Sequence, residues 1–485
     1  MVKNFIFSGV LVYATNIISS IGDLIYFYLL IGFLNDSELG IYYSIFSLMS
    51  LLNIFASSGL GNYLMIDFKK KFTDRTFFIL KIAFIIASLS LIIVPIYTIL
   101  YKKIFINFLS LLFLIIQPIF MLITTIIGAI LQRTKNFVKY SIFRIFTSIS
   151  KFSFFLLFLK IYNGFDAALL SSSLMYIIPN LFFIKYLLKF LNFKKIFKFS
   201  TNYGKNQQKI GDLKYFSKYY LLSFLTSGII PGFIFISSFL LEDSIIGIVS
   251  AINVFPQLIW ALSSSALFII FPYMIESKTK NDFFLISIKL MAIIAVPSYI
   301  LLNFGFKYLL VILNIENRFS DYSILLLYLS LFWFLKLMTD LFQRYYIVNK
   351  EFKLIFRSYF FGYVFSTILF FILILFTKKY ALPLTYIIAI SSIFLYYSLK
   401  LMKNMDNKMQ RKNLIKTVIG IPVSFILSYI VLIYIEMHLI FLNDLFLQII
   451  VSFLTFLIVS LILVTVFIFN RKDFFNLWNM LKREK

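Results

Sequence analysis

Charged side chains stand deep inside several long apolar runs of this 485-residue chain. Asp23 lies in the later half of the first run and Lys151 near the middle of the fifth. Lys336, Asp340 and Arg344 follow one another at i, i+4 and i+8 in the tenth, a spacing that places all three on one face of a helix. A charge at the centre of a membrane helix costs about 2.5–3.5 kcal/mol on insertion scales, so each one retained faces a cavity or a partner. Fixed cations in so dry a place stabilise an anion far more than they would in water. A carboxylate there titrates or holds a cation such as sodium. The structural alternatives are that Lys336 and Asp340 neutralise each other and that Asp23 bonds a neighbouring helix. Asn16, Asn53, Gln117, Asn253 and Gln257 either contact ligand hydroxyls or bridge helices.

The elements that hold these residues follow from composition. The chain is 61% hydrophobic and 14% charged, whereas soluble domains run about half apolar and a quarter charged. The excess has no core to enter, because the buried fraction rises only slowly with size. Lipid is therefore the solvent for most of the sequence. The 63 Phe and 31 Tyr suit lipid-facing surfaces and interfacial belts. A soluble enzyme, a secreted disulfide domain and a nucleic-acid module are excluded, even though the net charge is +26. With no cysteine, and His438 as the sole histidine, there is no thiolate or histidine metal site, no cysteine nucleophile and no Ser-His-Asp triad. Neither catalytic residues nor a cofactor are expected.

A bilayer crossing needs roughly 20 apolar residues, and fourteen such runs occur: 5–31, 40–66, 77–100, 107–131, 141–161, 167–188, 219–240, 247–273, 284–304, 322–344, 357–376, 380–402, 417–436 and 445–469. The first is too long for a signal-peptide core and is expected to remain. With the N-terminus in the cytoplasm, 37 Lys and Arg fall on the cytoplasmic side, counting Lys81 and Lys289 just inside their helix starts. Seven fall outside, among them Lys102, and Lys151 and Lys336 lie within spans. Acidic residues divide evenly. That is the positive-inside pattern, and it puts both termini in the cytoplasm of a multi-pass protein of the cytoplasmic (plasma) membrane. The basic stretch 189–218 reads as a linker whose lysines hold anionic headgroups.

A shift of 207 residues superposes Asp36-Ser37-Glu38-Leu39-Gly40-Ile41 on Asp243-Ser244-Ile245-Ile246-Gly247-Ile248, and Ser57-Ser58-Gly59-Leu60 on Ser264-Ser265-Ala266-Leu267. A second pair, Gln132-Arg133 and Gln343-Arg344, ends the fourth and tenth spans. Asp36 and Asp243, with the serines that follow them, suit helix capping. Six spans per repeat is an even number, so the halves share one orientation about an axis along the membrane normal. The expected fold is an all-α polytopic membrane protein of fourteen transmembrane helices. It comprises an N-lobe over 1–188, a linker over 189–218, a C-lobe over 219–402, and two added spans with a cytoplasmic tail over 403–485. A substrate path would run between the halves. All nine prolines lie in or beside spans; Gly228-Ile229-Ile230-Pro231-Gly232 is the strongest break, either a hinge or a static kink.

The acidic, glycine-containing entry to the second span, the Ser-Ser-Gly-Leu after it, the Gln-Arg end of the fourth and Phe271-Pro272 ending the eighth together resemble the polysaccharide-export flippases. These belong to the multidrug/oligosaccharidyl-lipid/polysaccharide exporter superfamily. The resemblance covers about the first 400 residues; the last two spans match it in number alone. It implies a flippase that moves a polyprenyl-(pyro)phosphate-linked oligosaccharide, an O-antigen-type precursor, to the external leaflet by alternating access. It also implies the bilayer and other polysaccharide-assembly membrane proteins as partners. The paired first-span arginines of peptidoglycan-precursor flippases are absent, which argues against lipid II.

On that reading Lys151 and Lys336 line a shared cationic chamber for the pyrophosphate, and Arg133 and Arg344 receive it at the cytoplasmic mouth, since guanidinium forks suit phosphate oxygens. Asn53 and Asn253 contact sugar hydroxyls, while Asp23 and Asp340 are the candidates for ion coupling. Gly228, Pro231 and Gly232 form the hinge. The alternatives are a drug/cation antiporter of the same superfamily, with fewer spans and a more acidic chamber, and a membrane glycosyltransferase or polymerase, disfavoured by short external loops.

Overall fold

The computed structural model describes residues 2–57, 60, 64, 74–102, 106–134, 136–188, 220–221, 224–276, 280–312, 315–319, 322–404, 408–439, 458–459, 462–463 and 465–466. Among them there is no strand. The helices are α1 (Val2–Phe33), α2 (Asp36–Ser57), α3 (Asp74–Ser88), α4 (Ser90–Pro95), a π-helical turn (Ile96–Tyr101), α5 (Phe108–Arg133), α6 (Phe137–Phe158) and α7 (Gly164–Leu188). They continue as α8 (Ile229–Ser237), α9 (Asp243–Glu276), α10 (Lys280–Ile312), α11 (Glu316–Phe319), α12 (Ser323–Val348), α13 (Phe352–Phe376), α14 (Lys378–Asn404) and α15 (Lys408–Leu439).

Among the described residues twelve helices are long and apolar enough to cross a membrane, and they coincide with the first six and the eighth to thirteenth runs of the sequence. The chain is a multi-pass membrane protein. The seventh run is described as helix over 220–221, 224–227 and α8. The fourteenth run and the basic stretch 189–218 lie outside the described residues, apart from 458–459, 462–463 and 465–466. Lipid as solvent is plain on α13, whose exposed side chains include Phe361, Phe365, Ile368, Phe371, Leu375 and Phe376. In water such a stripe would mark an interface.

Two compact units divide the chain, Met1–Ala251 and Ile252–Lys485. In the first, α7 packs on α5 and α6, and α6 packs on α1. Buried Leu122, Ile126, Ile130 and Phe143 form part of its core. In the second, α14 packs on α12 and α13, and α10 packs on α12 and α15. The most buried helix there is α12, with Leu329, Phe332, Leu337, Met338, Leu341 and Phe342 fully enclosed.

Helix starts differ from the sequence expectation in one respect. Asn35, not Asp36, caps α2: its side-chain oxygen accepts from the Glu38 backbone N–H at 2.9 Å, and the Glu38 carboxylate accepts from the Asn35 N–H at 3.0 Å. This reciprocal box satisfies two donors that would otherwise be orphaned. It leaves Asp36 at the first helical position, where the N-terminal end of the helix dipole favours negative charge.

Candidate functional site

The first unit joins two of the charges that sequence placed in separate spans. Lys151 Nζ on α6 donates to Asp23 Oδ1 on α1 at 3.2 Å, with the lysine side chain 16% and the aspartate side chain 49% exposed. The aspartate is the open member of the pair. The same ammonium stands 4.4 Å from the centroid of the Tyr26 ring, one turn along α1 from Asp23. Tyr26 is itself pinned: its hydroxyl donates to the Ala168 carbonyl at 3.1 Å and lies 3.1 Å from Ser171 Oγ and 3.2 Å from the Tyr42 hydroxyl. Three helices thus hold one ring as the floor beneath a lysine, in a cation–π contact.

The second unit carries a pair of another kind. Lys336 Nζ donates to Asp340 Oδ1 at 2.5 Å, one turn along the same helix, with side chains only 11% and 14% exposed. The other carboxylate oxygen accepts the indole N–H of Trp260 at 3.2 Å, and the lysine stands 5.6 Å over the Trp260 ring. One turn or more above on each helix, Trp333 donates its indole N–H to Asn253 Oδ1 at 2.8 Å. The helical spacing of Lys336 and Asp340 therefore meets as read, and the two charges neutralise each other. Arg344, one turn further, is half-buried and lies within electrostatic reach of Asp340. Beside it, Gln343 accepts from the Tyr359 hydroxyl at 3.1 Å, which ties the Gln-Arg motif to α13.

The remaining candidates scatter. Arg133 is exposed in the last turn of α5. Asn53 keeps a buried side-chain oxygen with no hydrogen-bond partner among the described residues. Gln117 is fully buried and accepts from Ser173 at 3.1 Å, so it bridges α5 and α7. At the break in the seventh run, Gly228 is a bend that separates 224–227 from α8. Pro231 then falls in the first turn of α8, where its missing N–H costs least, and its carbonyl accepts from Ser47 of α2. A Cβ at Gly232 would meet nothing within 4 Å.

Besides the two tryptophans, three features escaped the sequence reading. The two copies of the Asp-x-x-x-Gly motif lie on each other: a Cβ at Gly40 would overlap the Asp243 carbonyl, and one at Gly247 would overlap that of Asp36. Absence of side chains lets the α2 and α9 backbones cross this closely. Lys102, read as a loop residue, is buried beside them, donating to Asp243 Oδ1 at 2.5 Å and to the Ser238 carbonyl at 3.2 Å. Lys289, read as a helix-start residue, is 1% exposed inside α10. Among the described residues no cluster of His, Cys, Asp and Glu could hold a metal ion.

No known family's sequence profile matches the chain, and no characterised protein matches it by sequence. Solved structures do match by fold. The lipid II flippase MurJ in an inward closed conformation superposes over 95% of this chain and 98% of its own, with a TM-score of 0.69 at 14% identity. A multidrug resistance MATE family transporter of the MOP superfamily, outward-facing, covers 84% of this chain and 96% of its own at a TM-score of 0.53 and 13% identity. A MOP superfamily transporter from Pyrococcus furiosus, described as having a binding pocket of reverse polarity, covers the same two shares at 0.51 and 12%. The chain has the fold of MOP-type transporters.

Proposed function

We propose that this protein is a flippase that carries a polyprenyl-(pyro)phosphate-linked oligosaccharide from the cytoplasmic to the external leaflet by alternating access. The observation that carries the reading is Lys151, an ammonium held over an aromatic ring beside a half-exposed aspartate in an otherwise apolar bundle. A pyrophosphate entering a low-dielectric slab needs such a fixed cation, whose attraction there is many times its value in water. Arg133 and Arg344 are the guanidinium forks that receive the phosphates, whereas Lys336, in the other unit, is already neutralised by Asp340 and serves as a brace rather than a second free cation. Asp23 is the coupling carboxylate, because it is paired yet half open. The fold shared with a lipid II flippase supports a lipid-linked cargo, while the absence of arginine from α1 points to a glycan carrier other than lipid II. Fourteen spans, cytoplasmic termini and a basic linker over 189–218 belong to the same proposal, as do lobes over 1–188 and 219–402.

The test is reconstitution of the purified protein in liposomes with the host's lipid-linked oligosaccharide, following exposure of the glycan to a membrane-impermeant glycosidase. Protein-dependent exposure, abolished in Lys151→Ala at unchanged protein level, is expected. Full transport by Lys151→Ala would refute the cationic site. The second reading, a drug/cation antiporter, is favoured by Asp23 being far more open than Lys151; it gains if no lipid moves under imposed proton and sodium gradients and an organic cation does.

A further inference from the structure

The third span of the first unit ends in the π-helical turn Ile96–Tyr101, a register that is rare in helices and frequent at functional sites. It is closed by the Lys102 N–H bonding the Tyr97 carbonyl at 3.0 Å. From this turn hydrogen bonds run in one direction, to the corner between α8 and α9. Tyr97 donates its hydroxyl to Ser238 Oγ at 2.8 Å, and Tyr101 and Lys102 donate to the Ser238 carbonyl at 3.4 and 3.2 Å. Lys102 also donates to Asp243 Oδ1 at 2.5 Å. Ser238 is the C-cap of α8, and Asp243 begins α9. The rings follow the same route, Tyr97 lying 5.5 Å from Phe235 and Tyr101 4.5 Å from Phe239, centroid to centroid. Asp243 is also the residue on which α2 and α9 cross. Its carbonyl lies against Gly40 while its carboxylate is held by Lys102.

We propose that Lys102 is the latch of this crossing: its bond to Asp243 holds α9 against α2, and it breaks each time the two helices part in the transport cycle. Lys102 is then a positioning residue, which sets the resting state without touching the cargo. The proposal rests on alternating access and not on what is carried. No side chain interlocks at Gly40 or Gly247, so the crossing is fastened from beside it. The pair joins elements 141 residues apart, which are free to separate as the two ends of one helical turn are not. Its lysine is 8% and its aspartate 25% exposed, so the carboxylate already has water within reach when the ammonium leaves. Ser238 and Asp243 offer the turn only acceptor oxygens, and water serves acceptors nearly as well. The latch also fixes the end of α8 opposite to the Gly228 bend.

The chain holds no cysteine, so a single Ile246→Cys, at a fully buried position of α9 next to Gly247, reports opening by its rate of labelling. The full chain is placed in lipid nanodiscs, without cargo, and treated with a membrane-impermeant maleimide. Lys102→Met is expected to raise the rate about tenfold, because a hydrogen bond to a charged group biases a two-state equilibrium by at least that factor. Asp243→Asn, which weakens the same bond from the other side, is expected to act alike, and Lys102→Arg, which keeps the cation, to restore slow labelling. Gly40→Ala places a methyl on the Asp243 carbonyl and is expected to raise the rate as well. Adding Lys102→Met to it is expected to raise the rate little further, since both act on one contact. An unchanged rate in Lys102→Met and Asp243→Asn makes the pair a static staple and overturns the proposal. So does a full second increase in the double variant, or a faster rate matched by a fall in the unfolding midpoint, which reports local unfolding instead. Cargo plays no part in this readout, so a wild type that moves no lipid removes the flippase reading and leaves the labelling result to decide the latch.

Discussion

Among the described residues each unit of this protein carries a lysine–carboxylate pair deep in its apolar runs and beside an aromatic ring, Lys151–Asp23 and Lys336–Asp340, and these two pairs are built in opposite ways. Lys336 and Asp340 sit one turn apart on a single helix, nearly enclosed, with the second carboxylate oxygen held by Trp260. Lys151 and Asp23 come from different helices, meet at a looser 3.2 Å, and leave the acid half exposed. A short, local, fully bonded pair has nowhere to go. A longer pair between two helices, open to water, exchanges its carboxylate for another anion at small cost. The first is a brace for the surface around it and the second is the pair fitted to meet a moving charge.

The largest effect that would break this comparison is on stability. Removing one member of an enclosed pair leaves an uncompensated charge and costs about 3–5 kcal/mol. Lys336→Ala is therefore expected to lower the midpoint of thermal unfolding in detergent sharply. The double replacement Lys336→Met with Asp340→Leu should recover much of the loss, because no charge is stranded. Lys151→Ala is expected to cost under about 1 kcal/mol, as exposed pairs do, while abolishing transport. Equal stability losses in the two alanine variants would erase the distinction.

How far this was visible in the residues differs for the same two pairs. Lys336 and Asp340 are four apart, so helical periodicity alone joins them. Asp23 and Lys151 are 128 residues apart, and no local pattern reports a contact between helices so distant in sequence. The spans themselves were legible because a bilayer imposes a length on apolar runs, and among the described residues twelve of them are helices of that kind. Their ends were less so: Asn35 and Glu38 form the capping box, although Asp36 stands out more in the repeat. The tryptophans were missed because Trp260 and Trp333 each look like apolar filling; only the reciprocal N–H bonds across α9 and α12 separate them from it. Lys102 and Lys289 were read from their nearness to span ends, and packing that sequence does not encode locally encloses both.

An intermediate effect sharpens the comparison from the side of the aromatic rings. Tyr26 reaches Lys151 only with its ring, its hydroxyl being spent on Ala168, Ser171 and Tyr42. Tyr26→Phe is expected to cost about 1–3 kcal/mol of stability through the buried groups left without their partner, with transport retained, since the ring remains beneath the ammonium. In the second unit the polar atom of the ring bonds the carboxylate directly. Trp260→Phe is therefore expected to loosen Asp340 as well. A transport loss in Tyr26→Phe at wild-type stability would show that the hydroxyl web itself carries the cargo or a proton.

The smallest expected effect on stability tests whether the first unit is the half that moves. Within that unit the seventh run is interrupted at Gly228, and Gly232 lies one turn later with open space where a side chain would be. Alanine at that position displaces nothing, and by restricting the unfolded chain it is expected to raise stability by about 0.4–1 kcal/mol. Its only other consequence is a stiffer backbone beside the bend, where a conformational change needs a few residues free to alter their dihedrals. If α8 swings about Gly228 during transport, Gly232→Ala slows turnover several-fold while unfolding at the same temperature or higher, with substrate affinity unchanged. If the bend is a static kink, turnover stays at the wild-type rate. Loss of stability is excluded by the empty space around the position, so a slower, sturdier protein can only be one whose hinge has been tightened.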